Sequence, residues 1–491
     1  SDAAYRRSTV EPAKSPASES ASRVHSVEER SAGFRKELGL GDLVLTQIMY
    51  VVGTGWVGTA AKLGSGHLLF WLGAAMLFYL PQAAVVIYLN RLMPLEGGLY
   101  QWASVGLGEF WGFFTAWNIW AYGVLIIATF GVMIATNISY LVGASATWLT
   151  GAAWYTPVVS VIAIVGITTI AINGLRVGKW FQNAGGLAQF LTFGTLIIVP
   201  FIALKRGAIA EYHPLAVAVP AFTMLNLNLL GKMALGAFSG FEYVAILAGE
   251  CRNPAKTIGR SVIIAVPIIA AMFIFGTSAV VALVPKDQID LVSPIPQALT
   301  IGFKGMGIAS IIVPALIILL LTRQLGNMAL TFAGNTRLPM VAGWDGLLPA
   351  WFTRLHPRFK TPTNSILFVG VLTLVFTLAG QMGVGVQEAF QVLENAGGIF
   401  YGFAYLALFA IPIVASRRLA EPPPLSLKGA AVMGFAISLM YCILSVFPII
   451  DVKDWHTFTA KIIAVLLGTN LVGLAIYLNG RRRAHARTTT L

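Results

Sequence analysis

Two short stretches place charged or helix-breaking residues inside otherwise apolar sequence. The first is Gly53-Thr54-Gly55, at the head of Gly53-Thr54-Gly55-Trp56-Val57-Gly58. Glycine tolerates backbone angles that other residues avoid and weakens a helix relative to alanine, so this stretch can unwind. Unwinding frees the backbone N–H groups of Gly53, Thr54 and Gly55 and exposes the positive end of the half-helix that follows, an arrangement suited to a carboxylate. The second stretch is Ala237-Phe238-Ser239-Gly240-Phe241-Glu242, preceded by Gly236. A break there offers the carbonyls of Gly236, Ala237 and Ser239, at the negative end of a half-helix, to an ammonium. Glycines in apolar helices also serve close helix packing, and each stretch alone admits that reading. Together the two breaks match the backbone of an α-amino acid.

Several side chains belong to the same chemistry. Phe238 is positioned to close over a ligand, or to pack. Glu242 is an ionisable group in an apolar stretch, costly there and so a candidate for proton coupling or gating; its alternative is a protonated carboxyl bonded to a neighbouring helix. Arg323, with Gln324 and Asn327 beside it, is the other expensive charge. It could act as a fixed internal cation in place of Na⁺, pair with a carboxylate, or stand as a structural ion pair. Glu394 lies deep enough in its stretch to meet a substrate or a proton, whereas Glu388 falls at its edge. Tyr122, Asn327 and Tyr401 are candidates for side-chain selectivity.

The elements that must hold these residues follow from composition. Of 491 residues, 57% are hydrophobic and 11% charged, with a mean hydropathy of +0.77. Soluble domains carry about a quarter charged residues, so the chain reads as an integral membrane protein. Its apolar stretches run about 20 residues, the length of a helix crossing the hydrocarbon core, and the alternating ten-residue pattern of a β-barrel is absent. About twelve transmembrane helices are predicted, near 42–63, 68–90, 110–141, 155–173, 184–204, 229–250, 261–284, 308–332, 364–381, 387–412, 429–450 and 459–479. The two breaks thus fall in the first and sixth. Broken helices survive at membrane depth only where they line a cavity or protein interior, which points to a transport site at the bilayer midplane.

Four segments follow. Residues 1–38, polar and containing Pro12 and Pro16, form a disordered tail. Residues 39–412 form a ten-helix core, 413–480 two additional helices, and 481–491 a basic tail. Loops assigned alternately to the side of the N-terminal tail collect 24 Lys and Arg against 7 on the other side. Both termini are therefore expected in the cytoplasm. No organelle address is present, which leaves the plasma (inner) membrane as the default.

Other classes fit poorly. The net charge of +13 is spread between spans, as topology requires, and implies no nucleic acid partner. Cys251 and Cys442 are distant in sequence and suggest no disulfide framework. The six histidines are dispersed, so no metal, cofactor or enzymatic centre is expected. No filter sequence suggests a channel. A non-transporting amino acid sensor would need an output domain larger than the tail. The expected partners are the lipid bilayer and a small-molecule substrate, an amino acid or a polyamine; the apolar surfaces give no oligomeric state.

The motifs then carry a resemblance. Gly53-Thr54-Gly55, Pro94-Leu95-Glu96-Gly97-Gly98-Leu99-Tyr100, Phe238-Ser239-Gly240-Phe241-Glu242 with Glu250-Cys251-Arg252-Asn253-Pro254, and Asp345-Gly346-Leu347-Leu348-Pro349 with Thr361-Pro362 occur in order at matching span positions. In these the chain resembles permeases of the amino acid–polyamine–organocation superfamily over residues 40–480. The resemblance implies two inverted five-helix repeats with discontinuous helices 1 and 6, two further helices, and alternating access around a central amino acid or polyamine site. It implies secondary transport as proton symport or exchange, with a polyamine or organic cation carrier as the alternative. Glu242 falls where arginine–agmatine antiporters carry a glutamate implicated in proton sensing. Two departures stand out. Ala188, Gln189 and Phe190 occupy the place where some proton-coupled relatives keep a lysine in the fifth span. Val124 to Ala128 are apolar where arginine-selective relatives place polar groups.

Overall fold

The computed structural model describes residues 38–93, 98–173, 179–242, 251, 253–341, 350–354, 356–357, 361–416 and 419–488. Of the sequence motifs, Pro94–Gly97, Glu250, Arg252 and Asp345–Pro349 lie outside the described residues, as does nearly all of the N-terminal tail.

The described chain is helical, with one isolated bridge between Leu38 and Cys251. Its opening helix α1 (Leu40–Val51) starts where the Asp42 carboxylate accepts from Gly39 N at 3.1 Å. It meets α2 (Gly55–Ala61) at a bend of 53°. There follow α3 (Gly64–Leu92), the short α4 (Leu99–Leu107), the 34-residue α5 (Glu109–Val142), α6 (Tyr155–Ile172) and α7 (Lys179–Lys205). Next, α8 (Met224–Gly231) runs on as a wider π turn through Lys232–Ala237. The second half holds α9 (Pro254–Leu283), the short α10 (Pro294–Gly302), α11 (Ala309–Val341), α12 (Ala350–Thr353), α13 (Thr363–Gln381), α14 (Val386–Val414), α15 (Leu425–Leu444) and α16 (Trp455–Thr488). Among the described residues, ten helices are long and apolar enough to cross a membrane, and the bent α1–α2 pair makes an eleventh.

Three boundaries differ from the sequence expectation. The sixth apolar segment starts at Met224 rather than near 229, because the Thr223 hydroxyl accepts from Asn226 N at 3.2 Å and caps the helix there. α11 extends to Val341, beyond the expected end of that span near 332. α16 continues to Thr488, so most of the basic terminal segment is helical. In each case hydropathy marks the membrane, while backbone hydrogen bonding carries the helix past it.

The interior is built around α5, which packs against α4, α6, α11 and α14. In its most apolar window 78% is buried, against 22% for α16, which therefore lies at the periphery with its apolar side toward lipid. Prolines 200, 267, 314 and 412 sit within long helices, as membrane helices permit when neighbours satisfy the freed carbonyls. Of the central elements, α1 packs on α7 and α9, α2 on α9 and α10, and α8 with its π turn on α2, α3, α14 and α15.

Candidate functional site

At the α1–α2 break the chain turns tightly, Gly53 N donating to Val51 O at 2.9 Å. That bond leaves the last carbonyls of α1 short of partners, and distant side chains supply them. Arg323 of α11, buried at 4% exposure, donates through Nη2 to Val52 O at 2.8 Å and Met49 O at 3.2 Å. Gln189 of α7 donates to Val52 O at 3.0 Å. A cation therefore sits at the negative end of the half-helix, as its dipole favours. These hydrogen bonds of Arg323 run to backbone carbonyls and not to a carboxylate.

The second break follows the π turn of α8. Ser239 N donates to Leu235 O at 3.3 Å, and Gly240 N leaves the helix to donate to Tyr405 Oη at 2.8 Å. Gly240 has φ of +125°, a conformation that a side chain would strain. Trp56 joins the two breaks. A Cβ at Gly53 would lie 2.6 Å from its Cδ1, and a Cβ at Gly236 2.5 Å from its Cη2, so the indole needs a glycine on each side.

Between the breaks lies a cavity of about 140 Å³. Gly53, Thr54, Gly55 and Trp56 form one wall, and Gly236, Ser239 and Gly240 another. Arg323, Gln324, Asn327 and Thr331 enter from α11, Tyr122 and Thr129 from α5, Glu394, Gly398 and Tyr401 from α14, and Tyr441 from α15.

Three expected site residues lie elsewhere. Ala237 is buried behind the cavity wall. Phe238 is fully buried off the cavity, stacked on Tyr79 at 4.1 Å and edge-on to Trp71 at 5.1 Å, so the aromatic ring on the cavity at this level is Trp56. The reason is the π turn, whose extra residue rotates the following side chain to a different face. Glu242 also lies behind the wall, accepting a hydrogen bond from Tyr405 Oη, while Gln82 Nε2 donates to that hydroxyl at 2.5 Å. Tyr405 thus stands between Glu242 and the backbone of the second break.

A lid absent from the sequence reading covers α2. A Cβ on Gly55 would lie 3.4 Å from Leu291 O, and one on Gly58 2.8 Å from Pro294. Asp290 holds this segment in place. Its Oδ1 accepts from Val292 N, Ser293 N and Gln387 Nε2 at 2.9, 3.1 and 2.6 Å, and its Oδ2 from Tyr140 Oη at 3.1 Å. Ser293 Oγ donates to Asn137 Oδ1 at 2.7 Å, and Asn137 Nδ2 to Gln324 Oε1 at 2.8 Å, which links the lid to the cavity wall. The acidic pair Asp287 and Asp290 was the available signal, but the segment reads as an ordinary loop until its contacts are seen. Among the described residues no three His, Cys, Asp or Glu side chains converge as a metal site.

A profile of the amino acid permease family matches residues 38–469. The chain belongs to that family. As a permease it is a transporter and not an enzyme. It is 26% identical over 392 residues to the methylthioribose transporter of Bacillus subtilis, covering 76% of this chain and 82% of that one. It is 25% identical over 463 residues to the serine/threonine exchanger SteT of the same organism, covering 92% and 98%. Among solved structures it superposes on MhsT in complex with L-phenylalanine with a TM-score of 0.62, at 14% identity and over 84% of this chain and 99% of that chain, a likeness of fold.

Proposed function

We propose that this permease is a secondary transporter that moves amino acids by alternating access around the cavity between α2 and α8, as a proton symporter or an exchanger. The supporting observation is the meeting of the two glycine breaks at one cavity. In this reading the backbone around Gly53, Thr54 and Gly55 receives the substrate carboxylate, and the wall at Gly236 and Ser239 receives the amine. Trp56 takes the covering part that the sequence suggested for Phe238. Glu242, one hydroxyl behind the wall through Tyr405, carries or senses the proton. Arg323 already occupies the carbonyls at the end of α1, a place that a bound cation would otherwise fill, which favours protons or exchange over sodium. SteT is named as an amino acid exchanger, which agrees with this reading, although methylthioribose transport by another relative shows that the fold accepts other cargo. A polyamine would forgo the carboxylate that the first break invites.

The 24 to 7 distribution of basic residues supports cytoplasmic termini. The test is uptake into proteoliposomes with a panel of labelled amino acids and amines, proton and sodium gradients imposed separately. Amino acid uptake that survives sodium removal and is lost in Gly55→Trp is expected. Amine uptake without amino acid uptake overturns the proposal.

A further inference from the structure

One end of the cavity has a chemistry that neither break explains. On α14, Glu394, Gly397, Gly398 and Tyr401 fall at i, i+3, i+4 and i+7 and share one helix face. The two glycines allow rings from other helices to reach the α14 backbone. A Cβ on Gly398 would lie 1.9 Å from Tyr441 Oη of α15, and one on Gly397 3.7 Å from Tyr122 Cδ2 of α5. Tyr122 in turn stacks on Tyr401, with ring centroids 4.4 Å apart and planes 5° from parallel. Tyr122, Tyr401, Tyr441 and Glu394 all line the cavity.

Glu394 is half-buried, and its carboxylate makes no hydrogen bond or ion pair among the described residues. Its charged neighbour is Lys232, fully buried in the π turn of α8. That ammonium donates to Asn395 Oδ1 and does not line the cavity. The ammonium is thus hydrogen-bonded to Asn395, while Glu394 lines the cavity. An unpaired carboxylate at membrane depth is costly, and a ligand cation would relieve it. Tyrosine faces attract cations, and aromatic cages are a recurrent means of holding alkylammonium groups. A carboxylate among three tyrosines is therefore suited to a primary alkylammonium.

We propose that Glu394, Tyr122, Tyr401 and Tyr441 form a subsite for the terminal ammonium of a substrate side chain, so that the favoured cargo is a diamino acid rather than a neutral amino acid of equal length. This rests on the amino acid reading above and adds the substrate class. Lys232 and Asn395 act as positioning residues, since neither touches the cavity.

The test is competition binding to the purified full-length protein with three probes. These are lysine, norleucine (the same chain without the terminal ammonium) and 1,5-diaminopentane (lysine without its carboxylate). Lysine is expected to bind at least about tenfold more tightly than norleucine, the scale of one hydrogen bond to a charged group. In Glu394→Gln that ratio should fall toward one, and Glu394→Asp should restore part of it. A wild-type ratio near one, or a ratio unchanged in Glu394→Gln, overturns the subsite and leaves amino acid transport standing. Binding of diaminopentane without either amino acid overturns the amino acid reading and keeps the subsite. No binding of any probe overturns both. Should Glu394→Gln fail to elute as a single species, the wild-type ratio and Glu394→Asp decide.

Discussion

The capping of the first break by two side chains on one carbonyl gives a prediction whose size can be worked from the structure. Val52 O accepts from both Arg323 and Gln189, while Met49 O accepts from Arg323. In Arg323→Met, Met49 O loses its guanidinium partner, at a cost of about 1–3 kcal/mol, while Val52 O keeps Gln189. In Gln189→Ala, Val52 O keeps Arg323 and the loss should be about 1 kcal/mol. In the double variant Val52 O loses both, and a buried carbonyl without a partner adds about 1–3 kcal/mol beyond the sum of the singles. Removing the buried guanidinium also relieves its own desolvation penalty, which obscures the single variant. That relief is common to Arg323→Met and the double variant, so it cancels in the cycle, and the coupling is the quantity to measure. The assay is unfolding in mixed micelles by SDS titration, followed by intrinsic tryptophan fluorescence. Additivity within about 0.5 kcal/mol would refute a shared carbonyl as the link between α1, α7 and α11.

Three further outcomes are expected. Gly236→Ala sets a Cβ 2.5 Å from Trp56 Cη2, a clash of an overpacking kind that costs about 1–3 kcal/mol, and should cut uptake severalfold; adding Trp56→Phe should recover part of it, and no recovery would place the defect elsewhere. Glu242→Gln keeps an acceptor for Tyr405 but removes the titratable proton, so the pH profile of uptake should flatten, and an unaltered profile would end the proton role. Asp290→Ala releases Tyr140, Gln387 and the Val292–Ser293 backbone together, so an engineered Thr54→Cys should react faster with a bulky polar thiol reagent. The native Cys251 and Cys442 are buried and give little background; an unchanged rate would show that Asp290 does not hold the lid.

The membrane spans were legible in the amino acid order because the bilayer imposes demands that each segment meets alone: length, hydropathy and internal hydrogen bonding. The glycines of both breaks, and the rarity of Arg323 and Glu394 in apolar surroundings, were legible for the same reason. What faces the cavity was not. A helix apolar on all sides carries no stripe to reveal its rotation, so the positions of Phe238 and Glu242 behind the wall, and of Trp56 within it, were fixed only by packing. Ala188, Gln189 and Phe190 stood where the resemblance places a lysine in some relatives, and only the approach of α7 to Val52 O showed that Gln189 serves the same end of α1 as Arg323. The tyrosine group around Glu394 was likewise a tertiary product. Tyr122, Tyr401 and Tyr441 lie on three helices, and close approach at Gly397 and Gly398 brings them to one face.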